Sequence, residues 1–169
     1  NYTFNTGAST VADITAKALT VSATGDDKVY DGTTVATVTL SDDRVAGDVL
    51  TVAYGAAAFA DKNVGVDKPV SVTGITVTGD DSGNYTFNAT AATTADITAK
   101  PLTVSATGID KVYDGTTTAS VTLGDDRVEG DILVLAYGAA AFADKNVGVD
   151  KPVSVTGITV TGDDSGNYT

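Results

Sequence analysis

Cysteine, histidine, methionine, tryptophan and glutamine are all missing from the 169 residues. Without cysteine there are no disulfides and no thiolate metal sites, so stability has to come from packing and backbone hydrogen bonds. Without histidine or cysteine the usual nucleophilic triads and zinc centres are out of reach. Carboxylate chemistry is what remains, and Glu129 is the single glutamate, standing where the matching position of the first half has Ala46. A hydrolytic carboxylate pair needs a cleft holding its members about 5 to 9.5 Å apart, which a small β module rarely offers. The composition is that of a chain that is not an enzyme. Positive charge is also scarce: ten Lys and Arg stand against 22 Asp and Glu, for a net charge of −12 and a pI near 4.1. That balance disfavours nucleic acid and anionic membrane surfaces. No apolar run approaches the roughly 20 residues of a membrane span, and no signal peptide opens the chain, so neither nucleic-acid binding nor membrane insertion is expected of this segment.

What is present is repetition. Asn1-Tyr2-Thr3-Phe4-Asn5 returns as Asn84-Tyr85-Thr86-Phe87-Asn88, and the 83-residue offset holds for Tyr30 and Tyr113, Arg44 and Arg127, and Phe59 and Phe142. Residues 1–83 and 84–166 differ at 13 positions, and Ala53–Gly83 reappears unchanged as Ala136–Gly166. A period of 83 exceeds a solenoid turn of roughly 20 to 50 residues and suits a small domain with its own core.

Each period is rich in Thr, Val, Ala, Gly and Asp, a palette of strands and turns. Apolar residues alternate with polar ones in Leu19, Val21 and Ala23, in Ala36, Val38 and Leu40, in Leu50, Val52 and Tyr54, and in Val70 and Val72. Ile75 and Val77 continue the alternation, and Tyr85 with Phe87 opens a last strand expected to run to about Ile97. Turn clusters separate them, among them Gly25-Asp26-Asp27, Ser41-Asp42-Asp43, Asp61-Lys62-Asn63 and Gly79 to Asn84. Ala56-Ala57-Ala58-Phe59-Ala60 has helix propensity but too little room between its flanking glycines, so a strand or loop is expected. The spacing predicts an all-β chain of tandem small Ig-like β-sandwich modules.

Lys28-Val29-Tyr30-Asp31-Gly32-Thr33-Thr34 and its copy Lys111–Thr117 are followed by Val45-Ala46-Gly47-Asp48, by Phe59 to Gly65 and by Gly83-Asn84-Tyr85-Thr86. In that order these motifs resemble the YDG repeat family across essentially the whole period. The resemblance implies tandem modules in large secreted bacterial proteins, including filamentous-haemagglutinin-like adhesins. It implies no catalytic residue.

Tyr30, Asp31 and Gly32, with Tyr113, Asp114 and Gly115, are read as a structural motif. The tyrosine anchors a loop on the core with its hydroxyl at the rim, and Asp-Gly makes the following turn. A sugar-stacking role for the tyrosines lacks a second aromatic nearby. The doublets Asp26 and Asp27, Asp42 and Asp43, Asp80 and Asp81, Asp125 and Asp126, and Asp163 and Asp164 carry the hard oxygen ligands calcium prefers, without EF-hand spacing. The alternative is solvated turns that keep the chain soluble and its edge strands unpaired. No other cofactor is indicated. Lys62 and Lys145, beside Asn63 and Asn146, raise one covalent option, an isopeptide bond to Asn or Asp.

Three segments follow from Pro101 as a strand start and from the family boundary. Residues 1–17 read as the last strand of a preceding module, 18–99 as a first complete module, and 100–169 as a second module lacking its last strand. Two explanations stay open: a window of a longer array, or a subunit whose first strand completes the next chain's final module by head-to-tail strand exchange. The expected function is a structural spacer or stalk, extracellular or at the bacterial cell surface, with neighbouring copies of the module as partners. The rival is a repeated binding module for a host or matrix glycan or protein, acting through avidity.

Overall fold

The computed structural model describes residues 1–169 and is all β, with two three-residue 3-10 turns and no α-helix. Ten strands make the first module: β1 (Lys17–Leu19), β2 (Val21–Gly25), β3 (Lys28–Val29), β4 (Val38–Asp42), β5 (Thr51–Ala53), β6 (Ala56–Phe59), β7 (Gly65–Thr73), β8 (Thr76–Thr78), β9 (Tyr85–Phe87) and β10 (Thr90–Thr98). Six make the second: β11 (Val104–Ile109), β12 (Ser120–Asp125), β13 (Val134–Ala136), β14 (Ala139–Phe142), β15 (Val153–Thr156) and β16 (Thr159–Thr161).

In the first module a four-stranded sheet runs β3-β10-β7-β6, with β10 antiparallel to β7 and parallel to β3. Antiparallel pairs β2-β4 and β5-β8 and the parallel pair β1-β9 complete it. The period-2 alternation puts Leu19, Val21, Val38, Val70, Val72 and Val77 into one core with Tyr30, Phe59 and Ile97. The alanine run forms strand β6, registered from Ala56 opposite Thr73 to Phe59 opposite Val70. Pairing with β7 and burial of Ala57 and Phe59 override alanine's helical preference.

The expected last strand from Tyr85 to Ile97 is instead two strands, β9 and β10, broken at Asn88. The Asn88 side chain accepts from the Val21 N–H (2.8 Å) and donates to the carbonyls of Val21 (3.0 Å) and Thr90 (2.7 Å). It stands in for a ladder hydrogen bond while the chain turns from β1 toward β7.

The second module repeats the pairing as β11-β12, β13-β16 and β14-β15, but nothing in the chain takes the place of β10. Accordingly β15 has four residues where β7 has nine, and only Ala119, Val121 and Ala140 form its buried cluster. Gly25 shows how closely β10 packs, because a Cβ there would lie 2.7 Å from the Thr94 carbonyl oxygen. The matching Gly108 meets nothing nearer than 3.9 Å. Residues 1–16 form no strand and pair with nothing in this chain, and Lys17 opens β1. Pro101 lies outside any strand, three residues before β11 begins at Val104. It takes the place of Ala18 of β1, and parallel pairing here contracts to a single bridge between Lys100 and Tyr168.

Candidate functional site: a polar clasp between the modules

The modules meet with almost no linker, since β10 ends at Thr98 and Lys100 already pairs with Tyr168. The Lys100 N–H donates to the Asn167 carbonyl (3.0 Å) and the Leu102 N–H to the Thr169 carbonyl (2.9 Å). Ala99 alone separates the two ladders.

Across this joint lies the densest group of buried polar side chains. Asp131, in the loop between β12 and β13, is 7% exposed. The Tyr30 hydroxyl lies 3.0 and 2.8 Å from its two oxygens, Lys62 Nζ lies 2.8 Å from Oδ1, and the Tyr168 hydroxyl donates to Oδ2 at 2.5 Å. The Tyr168 oxygen in turn accepts from the Val128 N–H (2.9 Å), and Lys62 makes a second ion pair with Asp164 (3.1 Å). Asn167 accepts from the Val64 N–H (3.0 Å). Tyr30 and Tyr168 meet edge to face, 5.6 Å between centroids, and Lys62 lies over the Tyr30 ring at 5.8 Å. Tyr30, Lys62 and Val64 belong to the first module; Val128, Asp131, Asp164, Asn167 and Tyr168 belong to the second.

The electrostatics are those of a buried carboxylate satisfied by a half-exposed lysine and two phenols. Burial pushes the Asp131 carboxyl up, but hydrogen bonds from Lys62, Tyr168 and Tyr30 outweigh it and hold its pKa below the ordinary value. The hydrogen bond to Asp131, reinforced by Tyr30 and Asp164, raises Lys62. Burial first, then the hydrogen bond to Asp131, pushes Tyr168 up to about 12, and burial raises Tyr30. A charged lysine facing a charged carboxylate is the opposite of what amide condensation needs, a neutral amine and a protonated acid. The geometry at Lys62 is that of an ion pair.

The Tyr-Asp-Gly corner divides its work. Asp31 accepts from the Thr33 N–H (2.9 Å) and pairs with Lys28 (2.8 Å), which also reaches the Thr33 and Val35 carbonyls. This fixes the turn locally. Gly32 adopts φ +78°, and a Cβ on it would lie 2.7 Å from Val128 Cγ1, so the second module packs onto the bare glycine. Tyr30 is 2% exposed and packed in the first module's core, and its hydroxyl reaches Asp131 across the joint. Tyr113 is not anchored: it is 57% exposed, although Asp114 and Lys111 make the same turn and Gly115 the same positive φ. Two things differ: Tyr113 has neither a counterpart of β10 nor a docked module such as the one whose Asp131 and Tyr168 cover Tyr30. The Tyr30 N–H donates to the Thr98 carbonyl (2.8 Å), and no strand offers Tyr113 that partner. A cleft of ≈ 530 Å³ lined by Tyr113, Phe142, Lys145 and Val153 opens on that side of the second module.

The acidic doublets are spread over the loops. Asp42 and Asp125 each chelate an arginine, Arg44 and Arg127, whose guanidinium also donates to the Leu50 or Leu133 carbonyl. Asp43 and Asp126 accept from the Thr20 and Thr103 N–H groups, Asp27 from the Asp96 N–H, and Asp81 and Asp164 from the Val49 and Ile132 N–H groups. Asp26, Asp80 and Asp163 make no side-chain hydrogen bond or ion pair. No three carboxylates converge on one point, so a cation would have to displace these bonds to collect its ligands.

Asp48, Lys62, Asn63 and Asn84-Tyr85 stand in recurring motifs of the sequence, but local sequence alone does not bring Asp131, Lys62, Asn167 and Tyr168 together with Tyr30. The signal was there, because every residue of the clasp lies in one of those motifs or in a doublet.

These features define a class: a tandem β-repeat protein whose modules lock end to end through a buried acid, a lysine and two tyrosines. The YDG domain model matches residues 15–95 and 98–169, and the chain belongs to the YDG domain family. Comparison with curated proteins and with solved structures gave no match.

Proposed function

We propose that the chain is a spacer, a run of small Ig-like modules that hold distance in an extracellular bacterial surface or secreted protein. The observation that carries this reading is the joint. One residue of linker and a polar network joining Tyr30 and Lys62 to the buried Asp131 restrict the angle between modules. With that angle restricted, a stalk gains reach in proportion to copy number. Strands of about 7 to 9 residues rising ~3.3 Å each, with loops, make each module roughly 30–40 Å long. The Asp61–Pro69 loop, unchanged as Asp144–Pro152, suggests a repeated contact site. Lys62 and Val64 of that loop serve the joint, which gives it a use without any outside ligand.

Small-angle scattering on the chain tests the mechanical part: the spacer reading requires a single elongated pair-distance profile unchanged by added glycans. Protease shaving of intact producing cells tests location, and peptides from this segment should appear in the shaved fraction. A flexible profile, or protection on intact cells that is lost only on lysis, contradicts it.

A further inference from the structure

The second module's docking face is occupied, and the first module carries the same face unoccupied. Val128, Asp131, Asp164, Asn167 and Tyr168 correspond, at the 83-residue offset, to Val45, Asp48, Asp81, Asn84 and Tyr85, without a substitution. The unoccupied copy is already assembled. The Tyr85 hydroxyl donates to Asp48 (2.5 Å) and accepts from the Val45 N–H (2.9 Å), and Asp81 accepts from the Val49 N–H (2.8 Å), as their counterparts do in the joint. What differs is cover. Val45 is 52% exposed whereas Val128 packs against the first module's core, and Asn84 is exposed whereas Asn167 is buried.

We propose that this face, Val45 with Asp48, Asp81, Asn84 and Tyr85, is a docking site for the Tyr-Asp-Gly corner of another YDG module, whose lysine and tyrosine would close on Asp48 as Lys62 and Tyr30 close on Asp131. The occupant is fixed by chemistry: a left-handed glycine to admit Val45, a phenol and an ammonium to reach one carboxylate, and an N–H to meet the Asn84 amide oxygen.

A last strand in place readies that corner, because β10 holds the Tyr30 backbone through the Thr98 carbonyl, and Tyr113, with neither such a strand nor a docked module, is exposed. Residues 1–17 can supply the strand. Against 84–100 they differ only at Thr6, Gly7, Ser9 and Val11, whose counterparts Ala89, Thr90, Ala92 and Thr94 are all exposed; Ala12 and Ile14 match the buried Ala95 and Ile97. Strand completion thereby favours docking. The proposal rests on the stacked arrangement of the spacer reading and extends it to a second joint.

The absence of cysteine makes the test direct. A copy of residues 18–83 placed before Asn1 gives a three-module protein, and spin labels on cysteines replacing Thr39 in the inserted and first modules report the new joint. Labels at Thr39 and Thr122 of the original chain report the existing one. The two distance distributions should superimpose. Lys62→Met in the inserted copy should broaden the new distribution at least twofold without altering the old, and Asp48→Asn should do the same with the melting of the first module as a control for folding. A broad or displaced new distance beside a narrow old one overturns the docking site and leaves the original joint standing. Breadth in both removes the joint itself, and a narrow new distance indifferent to Lys62→Met and Asp48→Asn shows that the clasp is not what docks the modules.

Discussion

The Tyr30 hydroxyl lies 2.8 Å from Asp131 Oδ2, a contact between residues 101 apart in sequence that joins two folded modules. Tyr30 is therefore half scaffold and half connector: its ring fills one core and its oxygen secures the next module.

Tyr30→Phe keeps the ring and deletes the donor, leaving a buried carboxylate short of a partner. A loss of about 1–3 kcal/mol is expected in denaturant unfolding of the coupled pair. Tyr113→Phe, at an exposed ring, should stay within about 0.5 kcal/mol of the parent. Equal effects would show that the hydroxyl contributes nothing through the joint.

Gly32→Ala and Gly115→Ala share the backbone penalty, about 1–2 kcal/mol for a Cβ at positive φ. Only Gly32 has Val128 against it, whereas nothing lies within 4 Å of a Cβ at Gly115. The excess at position 32 should vanish in a Val128→Ala background, a double-mutant cycle that isolates the packing between modules.

The joint should hold over a broad pH plateau and loosen at both ends. Asp131 has a folded pKa below its unfolded value, so its contribution is present above about pH 4 and is lost as pH falls through the folded value. Lys62 and Tyr168 have folded values raised above the unfolded ones. Their contribution is complete below about pH 10 and is lost as pH rises, with Tyr168 titrating near 12. Phenolate absorbance should accordingly show late-titrating tyrosines that move to lower pH in Asp131→Ala; a titration unchanged by that substitution would place their environment elsewhere.

The edge of β15 left without its neighbour should accept a strand. A peptide of sequence 84–99 added in trans is expected to slow amide exchange along β15 and to bury Tyr113, reading as quenched exposure of its ring. The same peptide with Ile97→Asp, which sets a charge at the deepest apolar position of the strand, should do neither. Protection by both peptides alike would indicate nonspecific edge pairing.

Strand positions were legible in the sequence because alternation at Leu19, Val21, Val70 and Val72 is a local pattern that burial reads directly. The break at Asn88 was not, since it depends on a side chain finding the Val21 backbone across 67 residues. The clasp stayed hidden for a related reason. Asp131 looks like any loop aspartate until two modules are set end to end, and only then do a tyrosine and a lysine from elsewhere converge on it. Repetition disguised the asymmetry as well, because Tyr30 and Tyr113 are identical in their local sequence and opposite in exposure.

Spin labels on cysteines at Thr39 and Thr122 in the otherwise cysteine-free chain measure the joint itself. A single narrow inter-module distance, broadened by Lys62→Met and by Asp131→Asn while each module still melts cooperatively, is what a locked stalk requires. A wide distribution in the parent protein, indifferent to both substitutions, would mean that the modules swing freely and that the buried acid joins nothing.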